Sequence, residues 1–261
     1  MTPSYFERLG AHRFQPTSHA GGAWQDDEQH FSPLGGLLVH ALERVRASEQ
    51  RPGLLISRVS FDILGRIALD EFEIHVETPR PGRTIELMEA TAVIGGRPAV
   101  RARAWLLSSQ DTSAVAGGEP DPLPSPESLP PWEMSSLWPG GYIASLDTRV
   151  VGTREPGRNT AWVSSPVDLV AGETASPLAS YVARVDTANG IAVRQDPTKW
   201  MFPNVDLSIH LHRQPEGRWT GLDTSVVFGS DGQGLTSTVL HDVRGPVGRA
   251  EQILTVRPLE T

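Results

Sequence analysis

The stretch S-P-L-G-G-L-L-V-H-A-L at residues 32–42 opens the most strongly patterned helix of the chain. Ser32 can accept a bond from a free amide of the first turn, and Pro33 fits the first helical position, where a missing amide costs nothing. Leu34, Leu37, Leu38, Ala41, Leu42 and Val45 then recur at helical spacing and make one apolar stripe, so this helix faces a core. The same start returns as S-P-L at 176–178. There Leu178, Tyr181, Val182 and Val185 repeat the stripe, and Asn189–Gly190 predicts a left-handed stop.

Strand patterns follow each helix. In the first half they cover 55–62, 71–78, 83–94 and 100–107, with Gly95–Gly96 as a hairpin turn. In the second half they cover 205–212, 219–228, 235–242 and 250–256. The last strand of each half is itself similar, G-R-P-A-V-R-A-R-A-W-L-L at 96–107 and G-P-V-G-R-A-E-Q-I-L-T-V at 245–256. A helix followed by antiparallel strands, stated twice, predicts two α+β modules, each wrapping a sheet around one helix. An N-terminal module at 1–110 and a C-terminal module at 141–261 leave 111–140 as a linker. Its prolines, Pro120, Pro122, Pro124, Pro126, Pro130 and Pro131, remove amide donors, while Trp132, Leu137 and Trp138 suggest that it lies along a surface.

Composition excludes several classes of function. The 261 residues carry a net charge of −8 and no cysteine. Disulfides, thiolate nucleophiles and cysteine-based metal sites are absent, and a broad nucleic-acid or anionic-membrane surface is not expected of an acidic chain. No apolar run approaches the ~18 residues of a membrane span, and the N-terminus lacks a signal-peptide core, so a cytoplasmic location is expected. The Gly-Gln-Gly of 232–234 lies in a strand turn and not at a helix start, so no dinucleotide cofactor is assigned.

S-P-L-G-G-L-L-V-H-A-L at 32–42, N-V-D-L-S-I-H-L-H-R at 204–213 and G-L-T-S-T-V-L-H-D-V-R-G-P-V-G-R-A-E-Q at 234–252 carry a resemblance to the acyl-CoA thioesterases of the double-hotdog type, related to the bacterial thioesterase II enzymes. It covers roughly residues 20 to 260. It implies an α+β tandem hotdog, with two antiparallel sheets each wrapped around a central helix and joined edge to edge into one continuous sheet. It also implies a water-activating set made of an Asp, a Thr or Ser, and a Gln in the C-terminal module. Asp206 and Gln252 match the first and last members. Val227 falls where the hydroxyl is expected, so Thr224 or Ser225 can serve only if the strand is shifted or bulged.

An internal comparison singles out the same pair. At a 148-residue offset Asp206 faces Arg58 and Gln252 faces Ala104, so these polar groups belong to one module only. The alternative is that Asp206 caps a turn and Gln252 is a solvated strand residue. Strand alternation adds that Val205, Leu207, Ile209 and Leu211 share one face, which turns Asp206 away from the helix unless the cleft lies at the seam between modules. Gly35 and Gly36, in the first turn of the first helix, leave amides open to an oxyanion or serve close packing against the sheet. His210 and His212 form an H-x-H pair without a third ligand at motif spacing, so no metal is assigned. His40 reads as a helix-surface residue, and for His30, just before the cap, an approach to the cleft is the minor reading.

The leading expectation is an acyl-CoA thioesterase that needs no cofactor. Asp206 would activate water, Gln252 and Thr224 would position it, and the amides of Gly35 and Gly36 would receive the oxyanion. An acyl-CoA or acyl-carrier binding protein without activity and an acyl-thioester hydratase or dehydratase remain alternatives. Arg58, Arg66, Arg213, Arg244 and Arg249 are candidates for the phosphates of coenzyme A, and pairing into homo-oligomers is a further expectation.

Overall fold

The computed structural model describes residues 2–22, 24–48 and 53–259. The N-terminal half runs β1 (Ser4–Arg8), β2 (Arg13–Pro16), α1 (Phe31–Ser48), β3 (Leu54–Ile63), β4 (Phe72–Arg80), β5 (Ile85–Ile94) and β6 (Arg97–Ser108). After a stretch of short 3₁₀ turns come α2 (Gly141–Ala144), β7 (Asp147–Glu155), β8 (Arg158–Ser164) and β9 (Asp168–Val170). The chain then forms α3 (Pro177–Val182), α4 (Thr187–Ile191), β10 (Trp200–Met201), β11 (Asp206–Leu211), β12 (Thr220–Phe228), β13 (Gln233–Asp242), β14 (Gly245–Thr255) and β15 (Arg257–Pro258).

Thirteen strands form one sheet in the order β7-β8-β12-β13-β14-β11-β3-β6-β5-β4-β2-β1-β9, and β10 pairs with β15 apart from it. The order is a palindrome about the antiparallel β11–β3 seam, broken only by β9, which adds in parallel to β1. The repeat is visible residue by residue. The strand starts Phe72 and Thr220, Ile85 and Gln233, and Arg97 and Gly245 each stand 148 positions apart. Ser60 and Ser208, separated by the same interval, face each other across the seam. A local two-fold axis therefore passes through that pair, and the seam removes two strand edges that would otherwise expose unpaired amides. The Gly95–Gly96 turn behaves as its sequence demands, with φ of 56° and 77° joining Ile94 to Arg97.

The inner face of the sheet wraps around the helices. Leu34, Leu37, Leu38, Val39 and Leu42 of α1 are wholly buried, each contributing roughly 1.5–3 kcal/mol by area. Gly36 marks where α1 crosses α3, because a Cβ there would stand 2.5 Å from Ala183 Cβ and 2.7 Å from the Ala179 carbonyl. The alternation expected along β11 holds, with Leu207, Ile209 and Leu211 buried and His210 exposed. Among the described residues no helix is long and apolar enough to cross a membrane.

Three expectations need correction. The second helix does not run from Ser176 to Asn189. Ser176 caps it as read, accepting the Ala179 amide at 2.9 Å, but α3 ends at Val182 and a turn separates it from α4. The Tyr142 hydroxyl donates to the Ala183 carbonyl at 3.2 Å, and the next amide bonds are short-range ones, Thr187 to Arg184 and Ala188 to Val185. A side chain inserted into the ladder in this way breaks a helix without proline. Asn189–Gly190 is no left-handed stop either. Asn189 is buried and donates to the Phe202 carbonyl at 3.0 Å, and Gly190 is not among the glycines of positive φ. Finally, α1 begins two residues early, at Phe31 instead of Pro33. The Ser32 amide donates to His30 Nδ1 at 3.1 Å, so His30 does the capping expected of Ser32.

Candidate active site

The break between α3 and α4 creates the candidate site. Asp186 lies at the end of that turn, immediately before α4, and is only 6% exposed. Its Oδ1 accepts from Gln252 Nε2 and from Asn204 Nδ2, both at 2.8 Å. Its Oδ2 is 3.8 Å from His30 Nδ1. No arginine or lysine pairs with Asp186 among the described residues, and burial outweighs the two amide donors, pushing its carboxyl up to about 6. Gln252 is buried on the inner face of β14, and its Oε1 has no hydrogen-bond partner among the described residues.

His30 completes the group. Its ring lies tilted against Tyr142, with ring centroids 4.2 Å apart, and burial lowers its imidazole to about 3. It is therefore neutral. Because Nδ1 accepts the Ser32 amide, the ring proton belongs on Nε2. Asp186, His30, Asn189 and Asn204 border a cavity of about 480 Å³ whose apolar wall includes Trp24, Phe31, Ile67, Met134, Trp138 and Ile143. Arg66 and Arg257 also border it, Arg66 paired with Asp27 and Glu28.

The residues singled out in the sequence are not all brought together. Gln252 is in the group. Asp206 is on the neighbouring strand, but its Oδ1 accepts the Ile253 amide at 2.7 Å and it does not border the cavity. Burial, with Asp62 opposite as a lesser cause, raises its carboxyl. Thr224 faces inward and shares a bond with the Thr238 hydroxyl at 3.1 Å, away from the cavity. β12 pairs with β8 and β13 without a bulge, so Val227 stays on the outer face, 62% exposed. Gly35 packs beneath the Phe31 ring and Gly36 against Ala183, and neither borders the cavity. His40 is buried, not at the helix surface, and its Nε2 is 3.0 Å from Glu173. Of the arginines proposed for phosphate, Arg213 is held by Asp242 and Arg244 by Glu216.

Residues 21–107 match the acyl-CoA thioesterase N-terminal domain and residues 126–256 the acyl-CoA thioesterase C-terminal domain. The chain belongs to the acyl-CoA thioesterase family. It is a thioester hydrolase, and the arrangement around Asp186 lies where both domains contribute to one cavity. Solved structures show the same fold at low identity. A hot dog fold protein of unknown function from Alicyclobacillus acidocaldarius has a TM-score of 0.74 at 12% identity, covering 97% of this chain and 96% of that one. A protein assigned as a thioesterase II from Thermobifida fusca has a TM-score of 0.70 at 20% identity, covering 98% of both chains. An acyl-CoA thioesterase II from Mycobacterium marinum has a TM-score of 0.66 at 15% identity, covering 98% of this chain and 95% of that one. No curated protein matches the chain in sequence.

Asp186 and His30 are the residues that sequence reasoning passed over or left open. A signal for Asp186 was present. Its counterpart at the 144-residue offset of the two helix starts is Leu42, the same polar-for-apolar exchange that singled out Gln252 against Ala104.

Proposed function

We propose that the protein hydrolyses acyl-CoA thioesters in the cavity beside Asp186, and that its halves, 1–110 and 141–261 bridged by 111–140, are tandem hotdog modules sharing this one site. The observation that carries the mechanism is a buried carboxylate with a pKa of about 6, held by two amides and facing an apolar cavity. Such a group is ionised at neutral pH yet more basic than an ordinary carboxylate, which suits a general base.

Asp186 takes a proton from a water molecule whose oxygen attacks the thioester carbonyl carbon. The negative charge that develops on the carbonyl oxygen is met by the Nε2 proton of neutral His30, at the positive end of α1, in place of the Gly35 and Gly36 amides. Collapse of the tetrahedral intermediate breaks the carbon–sulfur bond, and the proton held by Asp186 passes to the departing thiolate. Gln252 and Asn204 fix the carboxylate and act through it. The role of base thus moves from Asp206 to Asp186, with Thr224 outside the set. The acyl chain lies along Trp24, Phe31, Met134 and Trp138, and Arg257, without a carboxylate partner among the described residues, meets the phosphate-bearing end.

Asp186→Asn is expected to lower thiol release from acyl-CoA ~100-fold or more while the fold survives. Asp206→Asn is expected to stay within a few-fold of the parent. The reverse ranking would return the base to Asp206 and refute this mechanism.

A further inference from the structure

A second cavity, of about 650 Å³, opens on the other side of the turn that carries Asp186 and shares no lining residue with the cleft. Its most unusual member is Arg184, only 7% exposed. Among the described residues the guanidinium makes one protein bond, from Nε to Thr220 Oγ1 at 3.0 Å. No carboxylate pairs with it among the described residues, and the titratable groups that act on it are the hydroxyls of Tyr142, Tyr5 and Tyr181, which burial keeps neutral. Burial without a counter-charge pushes the group below its usual value.

The acids at this cavity do not answer Arg184. Glu173 is committed to Arg8, His40 and Arg44, and Asp168 is exposed at the rim. A buried cation left unpaired is costly, and an anionic group entering the cavity would offset that cost. With Nε engaged, the two terminal nitrogens remain as a planar pair of donors, the geometry that grips a carboxylate or phosphate with two parallel bonds. Arg218 adds a second positive charge at the mouth, stacked over Trp219 with its guanidinium 5.0 Å from the ring centroid. The Ser165 hydroxyl and the Tyr5 hydroxyl, 2.8 Å apart, line the same space.

We infer that this cavity binds a small ligand through a terminal carboxylate or phosphate group, held by Arg184 and Arg218, at a site separate from the hydrolytic cleft. Calorimetric titration of the full chain with inorganic phosphate and, separately, with succinate tests the inference and tells the two anion types apart. At least one of them is expected to bind saturably, at least tenfold more weakly to Arg184→Gln and several-fold more weakly to Arg218→Ala. Arg218 is exposed, so its replacement leaves folding intact and keeps the test open if the Arg184 variant misfolds. Absence of saturable binding of both anions below roughly 10 mM, or unchanged affinity in either Arg218→Ala or a folded Arg184→Gln, overturns it.

Discussion

Two polar clusters occupy corresponding places on the helices of this chain and differ in almost every physical respect. His30, just ahead of α1, reaches across to Asp186 in the second helical segment. Glu173, just ahead of the Ser176 cap of α3, reaches across to His40 and Arg44 of α1. The first cluster has a carboxylate that no arginine or lysine meets among the described residues and a histidine kept neutral, with a cavity beside them. In the second, one carboxylate accepts from Arg8, His40 and Arg44, and Arg8 chiefly holds its carboxyl down at about 2. The duplicated fold thus offers the same crossing twice. At one place the carboxylate is matched by arginines, and at the other no arginine or lysine meets it among the described residues, which raises its basicity.

The contrast is broken most severely by changes that touch only one cluster. Gln252→Leu removes a donor from Asp186 while leaving the apolar volume, so turnover is expected to fall roughly 10- to 100-fold, mainly in kcat, because the residue acts on the base rather than on substrate binding. Glu173→Gln should leave turnover within about two-fold of the parent. Thiol-release kinetics on the two variants check both. Equal losses would mean that the Glu173 cluster takes part in the reaction.

How much of this was legible in the sequence follows the same division. The stripe of α1, the four long strands of each half and the two-fold offset were readable because they rest on periodicity and spacing, which local residues specify. Gln252 was readable because the repeat places Ala104 opposite it. Asp186 was obscured by a helical stripe that continues through Val185, and only the insertion of the Tyr142 hydroxyl, from 41 residues earlier, breaks that helix. The two S-P-L starts make the point sharply. Ser176 caps as its identity predicts, whereas at Ser32 a histidine two residues upstream takes the amide. A tertiary contact decided where the second helix breaks, whereas local neighbours decided both caps.

A smaller effect is expected on stability. Glu173 has its carboxyl lowered from 4.5 to about 2, so its contribution is fully present above pH 4.5 and is lost as the pH falls toward 2. Glu173→Gln should therefore cost about 2 kcal/mol near pH 7, after allowance for its partial exposure. Denaturant melts should show the gap between parent and variant closing as the pH approaches 3. A gap that persists there would mean that packing, not charge, accounts for the loss.

The finest distinction between the clusters is the direction in which each carboxylate responds to acid. Asp186 is raised to about 6, so its protonated form is the one that burial favours, and ionisation above that value works against folding while, in the proposed mechanism, it enables catalysis. The rate at low substrate should accordingly rise with pH through an apparent pKa near 6, whereas a base with an ordinary carboxylate value would put the limb near 4. Two amide donors restrain the upward shift, so Gln252→Leu, which removes one of them, should move the limb further up by about half a unit. Glu173→Gln should leave it in place, because Glu173 is not among the groups that shift Asp186. A limb near 4 in the parent enzyme, or one displaced equally by the two variants, would separate the acid dependence of turnover from Asp186 and require another group as the base.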